Sequence, residues 1–360
     1  MLNWRDPWHP KAGGAEHLTL RILERLVPRD WVVEWFSAAY TGAPLEETRN
    51  GIRFVRRGTA LSVHWEAFRR YRKTCEFDVV VDQINTIPFF SPLYIKKTRI
   101  ANIQQLARDV WFYEAPFPLS LIGYISEPMY LQVYRSSPVV TISASSASSL
   151  RVLGFRGSIT VIPMAVDELS QAVVPPKKNP RSIVVIGRVT PSKRIPHALH
   201  AAAMLAERGW DGTLSIVGSG LPSYVNRLRE IARELRIEDR IVFHGRVTNE
   251  RRSELLAEAS LLWMCSVREG WGLVVTESAR NGTPAVVYDV PGLRDSVVTE
   301  QTGLVVPATP RALCEGTERV FKEFDRFAAA ALSESSKLSW EKTASAFERA
   351  LIEAMGPKNI

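Results

Sequence analysis

Two glutamates in the second half of the chain have the types and the spacing of an anion-binding site. Glu269 stands in Glu269–Gly272, directly after the apolar run Leu261–Cys265, which predicts a buried strand. Leu273–Asn281 predicts a helix. Glycines at such a turn let a ligand approach the backbone, and the free N–H groups of the helix favour a phosphate-like anion. Glu277, one turn into the helix, can accept hydrogen bonds from two hydroxyls, so the stretch suits a sugar nucleotide. Alone, the pattern also fits acidic residues that only complement the helix dipole.

A second loop carries two cations. Arg188 and Lys193 follow the predicted strand Ile183–Gly187 and are five residues apart. Arginine offers a planar fork and lysine a mobile point charge, so the pair can hold one diphosphate. By itself, such a loop is more often only solvated. The sequence contains no Asp-x-Asp and no compact cluster of His, Asp and Glu. A sugar-nucleotide enzyme without a metal must stabilise the departing phosphate with cations and helix dipoles. We therefore expect neither a metal nor a cofactor.

The composition indicates a globular protein of two domains. The chain has 360 residues, of which 46% are hydrophobic and 23% charged. The net charge of +8 is spread thinly, with an excess of four cations in residues 1–168 and four in the rest. This distribution predicts a mild attraction to phosphate-bearing substrates and no nucleic-acid partner. Three widely spaced cysteines, Cys75, Cys265 and Cys314, predict reduced thiols and a cytoplasmic location.

Alternating strand and helix patterns fill both halves and predict two Rossmann-like domains with doubly wound parallel sheets, an α/β fold. We assign residues 1–168 to an N-terminal domain, 169–181 to a proline-bearing linker and 182–335 to a C-terminal domain. Residues 336–360 predict a final helix. The first strand, Leu2–Trp4, is shorter than the usual five or six residues. Because this strand is so short, we expect the natural protein to start upstream of Met1.

The spacing around the two glutamates resembles a known family. Glu-x7-Glu, followed by Asn281–Val287 and Pro291–Asp295, resembles the donor-site signature of family-four retaining glycosyltransferases of the GT-B fold. The run Gly187–Lys193 resembles the G-R-x-x-x-x-K element of the same family. The resemblance implies two domains that face each other across a cleft, with the last helix crossing back to the first domain. It also implies retention of the anomeric configuration.

The family's roles pass to matching positions. Arg188 and Lys193 would neutralise the leaving diphosphate, Glu269 would orient the donor sugar, and Glu277 would bind the ribose hydroxyls. The resemblance places the N-terminal glycine loop of the family at Gly13 and Gly14. It implies donor contacts at these further residues: Arg246, Val247, Gly270, Trp271, Gly272, Leu273 and Val274. His17 and Gln104 are candidate contacts to the sugar or the acceptor, which would be a glycan, a lipid-linked molecule or a small molecule.

Two other interpretations stay open. A catalytically inactive sugar-nucleotide-binding or scaffolding protein is favoured by two departures from the family pattern. Gln104-Gln105-Leu106 stands where relatives often carry a histidine, and Pro163-Met164-Ala165 stands where they often carry Pro-Asn-Gly. An NAD-dependent enzyme is the other alternative, because Gly218-Ser219-Gly220 could begin a dinucleotide fingerprint. The third glycine of that fingerprint is missing, since Ser223 occupies its position. We therefore assign these glycines mainly to a turn.

Aromatic and basic residues together predict a weak peripheral contact with a membrane. The predicted helix 65–73 carries both kinds of side chain, and residues 111–134 are rich in aromatics and prolines. Such faces can mark a helix that lies on a bilayer, although most helices of this kind pack on a sheet. The expected place of contact is the inner face of the cell membrane.

Overall fold

A computed structural model describes residues 1–72, 76–165 and 181–356. Cys75 and almost all of the expected linker lie outside these ranges. The chain divides into two compact units. The N-terminal unit comprises Met1–Leu106, Ile125–Met164 and Ser339–Ile360, and the C-terminal unit comprises Ala107–Tyr124 and Ala165–Leu338.

The N-terminal unit is built on seven strands in two hydrogen-bonded groups, ordered β1-β3-β2 and β4-β5-β6-β7. The strands are β1 (Val33–Ser37), β2 (Glu46–Arg49), β3 (Ile52–Arg56), β4 (Val79–Gln83), β5 (Thr98–Asn102), β6 (Val139–Thr141) and β7 (Ile159–Val161). Leu2 lies between the two groups and forms parallel bridges with Phe36 of β1 and Asp82 of β4. The short first strand therefore sits at the middle of the sheet, although only Leu2 pairs as a strand residue.

The expectation of purely parallel sheets needs one correction. β2 pairs with β3 in the antiparallel sense, whereas the other paired strands of the described chain are parallel. β2 is polar and mostly exposed, so it lacks the apolar pattern from which a strand is predicted. It sits at the edge of its sheet, where one face of an antiparallel strand can meet water.

The C-terminal unit contains one parallel sheet of six strands in the order β10-β9-β8-β11-β12-β13. They are β8 (Ile183–Ile186), β9 (Leu214–Val217), β10 (Ile241–Gly245), β11 (Leu261–Met264), β12 (Ala285–Tyr288) and β13 (Gly303–Val306). Counted from β8, this is the order 3-2-1-4-5-6 of a doubly wound nucleotide-binding fold. The strand order reverses between β8 and β11, which predicts a ligand site beyond their carboxyl ends.

Thirteen α-helices accompany the strands of the described chain. They are α1 (Gly14–Leu26), α2 (Val63–Tyr71), α3 (Trp111–Glu114), α4 (Leu119–Leu131), α5 (Ala144–Val152), α6 (Ile195–Glu207), α7 (Pro222–Glu234), α8 (Asn249–Glu258), α9 (Leu273–Arg280), α10 (Leu293–Ser296), α11 (Pro310–Lys322), α12 (Phe324–Ser336) and α13 (Trp340–Met355).

Helices α13 and α3 lie in units that their positions in the sequence do not suggest. α13 lies in the N-terminal unit and packs on α1, where Glu348 accepts hydrogen bonds from Arg29 and from the indole of Trp31 at 2.9 Å. α3 belongs to the C-terminal unit although its residues precede β6 in the chain. The division into compact units thus differs from the expected N-terminal domain of residues 1–168 at Ala107–Tyr124. Chain order suggested that assignment, but the segment makes its contacts with residues near position 192.

Candidate functional site

The loops after β8 and β11 meet at the point where the strand order reverses. The first contains a short helical turn, Pro191–Lys193, which ends at Arg194 in a left-handed conformation. The backbone N–H of Val267, in the second loop, donates to the carbonyl of Ser192 at 2.8 Å. The fold thus brings the predicted cation loop and the predicted Glu269 loop together from positions 76 residues apart. This is the arrangement that the sequence pattern predicts for the two loops.

Lys193 and Glu269 form an ion pair in this place. The ammonium of Lys193 contacts Oε1 of Glu269, and the hydroxyl of Ser266 donates to the same oxygen at 2.7 Å. The two charged side chains keep 20% and 16% of their area exposed, so solvent screens the pair only partly. A cation that is neutralised by its own neighbour, at the edge of a sheet, can exchange that partner for an anionic ligand.

The turn between β11 and α9 is fixed by glycine and by a neighbouring loop. Gly272 caps α9 with φ of 93°, a value that L side chains rarely adopt. Gly292 has φ of 85°, and a Cβ there would lie 2.1 Å from the carbonyl oxygen of Glu269. The N–H of Glu269 donates to the carbonyl of Pro291 at 3.1 Å. The segment around Gly292 therefore sets the backbone of Glu269. Leu273 and Val274 form the first, half-buried turn of α9.

Glu277 has a partner that the sequence did not indicate. Arg252 of α8 pairs with Oε2 of Glu277, and both side chains remain partly exposed. The indole N–H of Trp271 donates to Thr276 Oγ1 at 2.9 Å, so this ring is tied to α9. Arg252 thus adds a guanidinium beside the carboxylate expected to bind hydroxyls. The ion pair bridges α8 and α9, two helices whose pairing cannot be read from the sequence alone.

The other predicted positions of the C-terminal unit differ in accessibility. Arg188 and Arg246 are exposed at the ends of β8 and β10, while Val247 is half-buried against the core of the unit. Gly218 has φ of 141°, and a Cβ there would lie 1.8 Å from the carbonyl oxygen of Gly187. The close approach of these two strand ends requires glycine at 218. The geometry accounts for this glycine as part of a turn without a ligand.

In the N-terminal unit, the glycine loop is held by a buried glutamate. Glu16 is fully buried, accepts a hydrogen bond from the N–H of Gly13 at 2.7 Å and pairs with Arg5 at 3.1 Å. Asn85, after β4, donates to the other carboxylate oxygen at 2.8 Å. His17 is exposed on α1. The N–H of Gly13 is therefore used inside the protein, and Glu16 and Asn85 are positioning residues that the sequence reading missed.

The backbone of Gly13 does not itself require glycine. Its φ of −139° is ordinary for any residue, and a Cβ would meet only Glu16 Oε2 at 3.8 Å. Gly14, the first residue of α1, is exposed like Gly13. The protein does not fill the space beside Gly13, and a ligand needs such space to approach the backbone closely.

Gln104 is 9% exposed and lies two residues after β5. Its backbone carbonyl accepts a hydrogen bond from Ser146 Oγ at 2.9 Å. Its side-chain Nε2 is buried and has no hydrogen-bond partner among the described residues. A buried amide N–H group without a partner is costly, and a ligand oxygen would satisfy it. Gln105, the alternative position for the family's histidine, is exposed.

Two buried polar groups, Cys265 and Tyr288, and the half-buried His197 lie close to the cation loop. Burial raises the pKa of the Cys265 thiol to about 12 and raises that of the Tyr288 hydroxyl. Tyr288 is within 3.0 Å of His197 Nδ1. Burial, then Arg194 and His200, lower the pKa of His197. These groups are neutral near pH 7, so the charge at this end of the sheet comes from the loop residues.

No group of three or more His, Cys, Asp or Glu side chains in the described ranges is arranged to hold a metal ion. Arg188, Lys193 and the amino end of α9 are positive groups of the C-terminal unit near the switch point, and Arg194 and Arg268 lie in the same two loops.

Residues 166–331 match the glycosyl transferases group 1 family. The matched region contains both loops described above and all six strands of the C-terminal unit. The match covers somewhat less than half of the 360-residue chain. Lys193 and Glu269, at the switch point of the sheet, both lie within the matched residues.

Parts of the chain also resemble curated proteins. Over 230 residues the chain is 30% identical to 2-deoxystreptamine glucosyltransferase of Streptomyces kanamyceticus, covering 58% of each protein. It is 29% identical over 187 residues to D-inositol 3-phosphate glycosyltransferase of Mycobacteroides abscessus, covering 49% of this chain and 41% of the relative. The matches thus span only about half the length of these relatives.

Solved structures share the fold along nearly the whole chain. Sucrose-phosphate synthase from Thermosynechococcus elongatus superposes with a TM-score of 0.79 and 20% identity, covering 94% of this chain and 92% of that one. HepE of Anabaena, solved with UDP and glucose, gives a TM-score of 0.74 and 17% identity, with coverages of 97% and 98%. These similarities confirm the α/β fold with parallel sheets in two domains. Among the described residues, no helix is long and apolar enough to cross a bilayer.

Proposed function

We propose that the protein is a glycosyltransferase that binds a nucleotide-diphosphate sugar on its C-terminal unit and transfers the sugar to an acceptor. The observation that carries this proposal is the pairing of Lys193 with Glu269 at the switch point of a 3-2-1-4-5-6 sheet. Open α/β sheets bind nucleotides at this point, and diphosphates require cations there when no metal is used. The expected partners are therefore the donor and a glycan, lipid-linked or small-molecule acceptor.

The diphosphate would replace Glu269 as the partner of Lys193. Arg188, exposed on the same loop, would bind the other phosphate through its planar fork. The N–H groups at the start of α9 would donate hydrogen bonds to the remaining phosphate oxygens. Glu269, released from the ammonium and still bonded to Ser266, would then accept hydrogen bonds from hydroxyls of the donor sugar. Gly270, Gly272 and the half-buried first turn of α9 would line this approach.

The nucleoside would lie beside α8 and α9. Glu277 would accept hydrogen bonds from the two ribose hydroxyls, and Arg252 would hold the carboxylate in the required orientation. Arg246 and Val247, at the end of β10, would contact the base. Glu277→Ala removes a charged acceptor, whose hydrogen bonds are worth on the order of 1.5–3 kcal/mol. We therefore expect nucleotide affinity to fall by roughly tenfold to a hundredfold.

For the chemical step we propose retention without a metal or a cofactor. The acceptor hydroxyl oxygen would form a bond to the anomeric carbon on the face from which the diphosphate departs. The bond between that carbon and the phosphate oxygen breaks, and the departing phosphate takes the acceptor proton. Lys193 and Arg188 would stabilise the charge that grows on the diphosphate, so their loss should lower turnover more than donor affinity.

Two positions of the N-terminal unit enter the proposal through their own geometry. Gly13 leaves unused space at a turn, and Gln104 has a buried Nε2 without a partner. Gln104 would donate a hydrogen bond to a hydroxyl or phosphate oxygen, and exposed His17 is a further candidate contact. An amide does not titrate near neutrality, so Gln104→His should add an ionisation near pH 6.5 to the single-turnover rate. An unchanged profile and rate in that variant would place Gln104 outside the site.

The decisive experiment compares nucleotide binding and donor breakdown in matched variants. Isothermal titration calorimetry with UDP, GDP and ADP identifies the base, and a screen of the corresponding nucleotide sugars identifies the donor. Lys193→Ala should weaken binding and turnover, whereas Lys322→Ala, an exposed lysine of α11, should not. Activity should survive EDTA, and NMR of the product should show the donor's anomeric configuration.

The same experiment distinguishes a glycosyltransferase from a catalytically inactive sugar-nucleotide-binding or scaffolding protein. Nucleotide binding that depends on Lys193, without breakdown of any donor sugar or transfer to any acceptor, would favour a binding or scaffolding protein. No binding of the three diphosphates would contradict the proposal altogether. Loss of activity in EDTA that magnesium restores would contradict its metal-free part.

A lipid-linked acceptor and a peripheral membrane contact form the last part of the proposal. On α2, Trp65 is 57% exposed and stacks on Phe68, and Arg69 and Arg72 are exposed nearby. The free, buried thiols Cys265 and Cys314 suit the proposed cytoplasmic location. Sedimentation with vesicles of anionic phospholipid at low salt tests the contact, with Trp65→Ala as the variant. No sedimentation of the wild type would leave a water-soluble acceptor.

A further inference from the structure

The segment Ala107–Tyr124, which contains α3 and the first six residues of α4, belongs to the C-terminal unit and folds back on itself as a closed loop. Its two ends meet, because Arg108 donates to the carbonyl of Tyr124 at 3.1 Å and lies over the ring of that residue. Within the loop, Phe112 packs on Tyr124 with 5.1 Å between ring centroids. Trp111 lies so close to Gly123 that a Cβ there would be 2.4 Å from the indole. The loop thus holds its own shape.

Two consecutive residues of this closed loop contact the turn that carries Lys193. Glu114 Oε1 accepts a hydrogen bond from the hydroxyl of Ser192, a residue that is only 6% exposed. Tyr113 lies under the guanidinium of Arg194, with 5.7 Å between the ring centroid and the guanidinium carbon. The contacts therefore fall on both neighbours of Lys193 and leave the ammonium itself to Glu269.

The turn needs such support because its conformation is costly. Arg194 has φ of 48°, in the left-handed region that residues other than glycine adopt only with strain. Ser192 attaches the turn both to the Glu269 loop and to the closed loop. Its carbonyl accepts from Val267, in the Glu269 loop, and its hydroxyl donates to Glu114. Removing Glu114 leaves the first attachment and releases the second.

We propose that Glu114 is a positioning residue that acts through Ser192 and fixes Lys193 for the diphosphate. This rests on the proposed function for the ligand, while the attachment of the loop to the turn does not. A lysine held in place before binding loses less conformational freedom when it meets the phosphate. Glu114 lies more than seventy positions before Lys193 in the chain and outside the region matched by the family.

The test compares four variants of the full chain: Glu114→Ala, Glu114→Gln, Ser192→Ala and, as a matched control, Glu234→Ala. Glu234 is an exposed glutamate of α7 in the same unit. Glu114 is itself exposed, so its replacement should not prevent folding. The glutamine variant keeps an oxygen that can accept from Ser192, so it should behave nearly as the wild type.

Hydrogen exchange measured by mass spectrometry reads the attachment without a ligand. In Glu114→Ala, peptides covering residues 190–194 should exchange faster, because the amides of Lys193 and Arg194 bond within the turn. UDP titration should show about threefold to tenfold weaker binding in Glu114→Ala and in Ser192→Ala. A further variant that combines Glu114→Ala with Ser192→Ala should lose no more affinity than either single variant, because both substitutions remove the same hydrogen bond. Glu114→Gln should restore both readouts.

Exchange and UDP affinity in Glu114→Ala equal to those of Glu234→Ala would overturn the inference. That result, together with weak binding in Lys193→Ala, would leave the proposed function intact. If instead the wild type bound no UDP, GDP or ADP, the proposed function and the positioning role would both fail. The exchange data would then still report whether Glu114 holds the turn.

Discussion

Glu269→Gln should make the protein bind UDP more tightly while it lowers transfer of the sugar. The variant keeps the shape of the side chain and an oxygen that can accept from Ser266, so it removes little besides the charge. A phosphate bound to Lys193 would lie about 5–6 Å from the Glu269 carboxylate. Coulomb's law gives a repulsion of about 1 kcal/mol at an effective dielectric constant near 60 and about 3 kcal/mol near 20. Because both side chains are partly exposed, we take the lower figure, which corresponds to about fivefold tighter binding.

Calorimetric titration with UDP at low and at high salt measures this change. The increase should shrink at high salt, because screening weakens the repulsion. It should also vanish when Lys193→Ala is combined with Glu269→Gln, since the phosphate then lacks the cation that brings it near position 269. Turnover of the donor sugar should fall, because the sugar hydroxyls lose their charged acceptor. Weaker UDP binding in Glu269→Gln would refute this account of the ion pair.

Three further predictions concern stability. Gly218→Ala should lower the melting temperature, because its Cβ would clash with Gly187, and a normal melting temperature would contradict the clash. Gly13→Ala should melt at the temperature of the wild type but lose turnover. Asp6→Ala should reduce the free energy of unfolding in urea by about 3 kcal/mol, because it leaves the fully buried Arg56 without one partner, and a loss below 1 kcal/mol would count against it. His197 has a lowered pKa in the folded protein, so its contribution to stability is present above pH 6.5 and lost as the pH falls below that value. Urea unfolding between pH 7 and pH 5 should therefore show a smaller decline in His197→Gln, and an equal decline would show that another group is responsible.

The strands and helices of the C-terminal unit could be predicted closely from the sequence. Parallel strands are buried on both faces, so they appear as apolar runs, and the run Leu261–Cys265 predicts β11 to within one residue. α9 was expected at 273–281 and ends one residue earlier. The polar strand β2 has no such run, which is why it escaped prediction.

The candidate site was less accessible to sequence reasoning. Lys193 and Glu269 were expected to act at one ligand, and the structure brings them into contact. Arg252 and Glu114 were missed, because a lone charge on a helix or loop carries no signal until the fold supplies its partner. Their partners lie 25 and 78 residues away. The catalytic and binding roles of the site residues stay predictions.

The path of the chain has a consequence for recombination between relatives. Ala107–Tyr124 belongs to the C-terminal unit, and Ser339–Ile360 belongs to the N-terminal unit. The backbone therefore passes from one unit to the other four times. A chimera made at a single crossover near residue 165 would combine a foreign Ser192 turn with the resident Glu114 loop. Donor preference should therefore transfer cleanly only when the exchanged gene fragments include residues 107–124. Gene shuffling that separates this loop from the Ser192 turn should therefore give inactive chimeras even from otherwise compatible relatives.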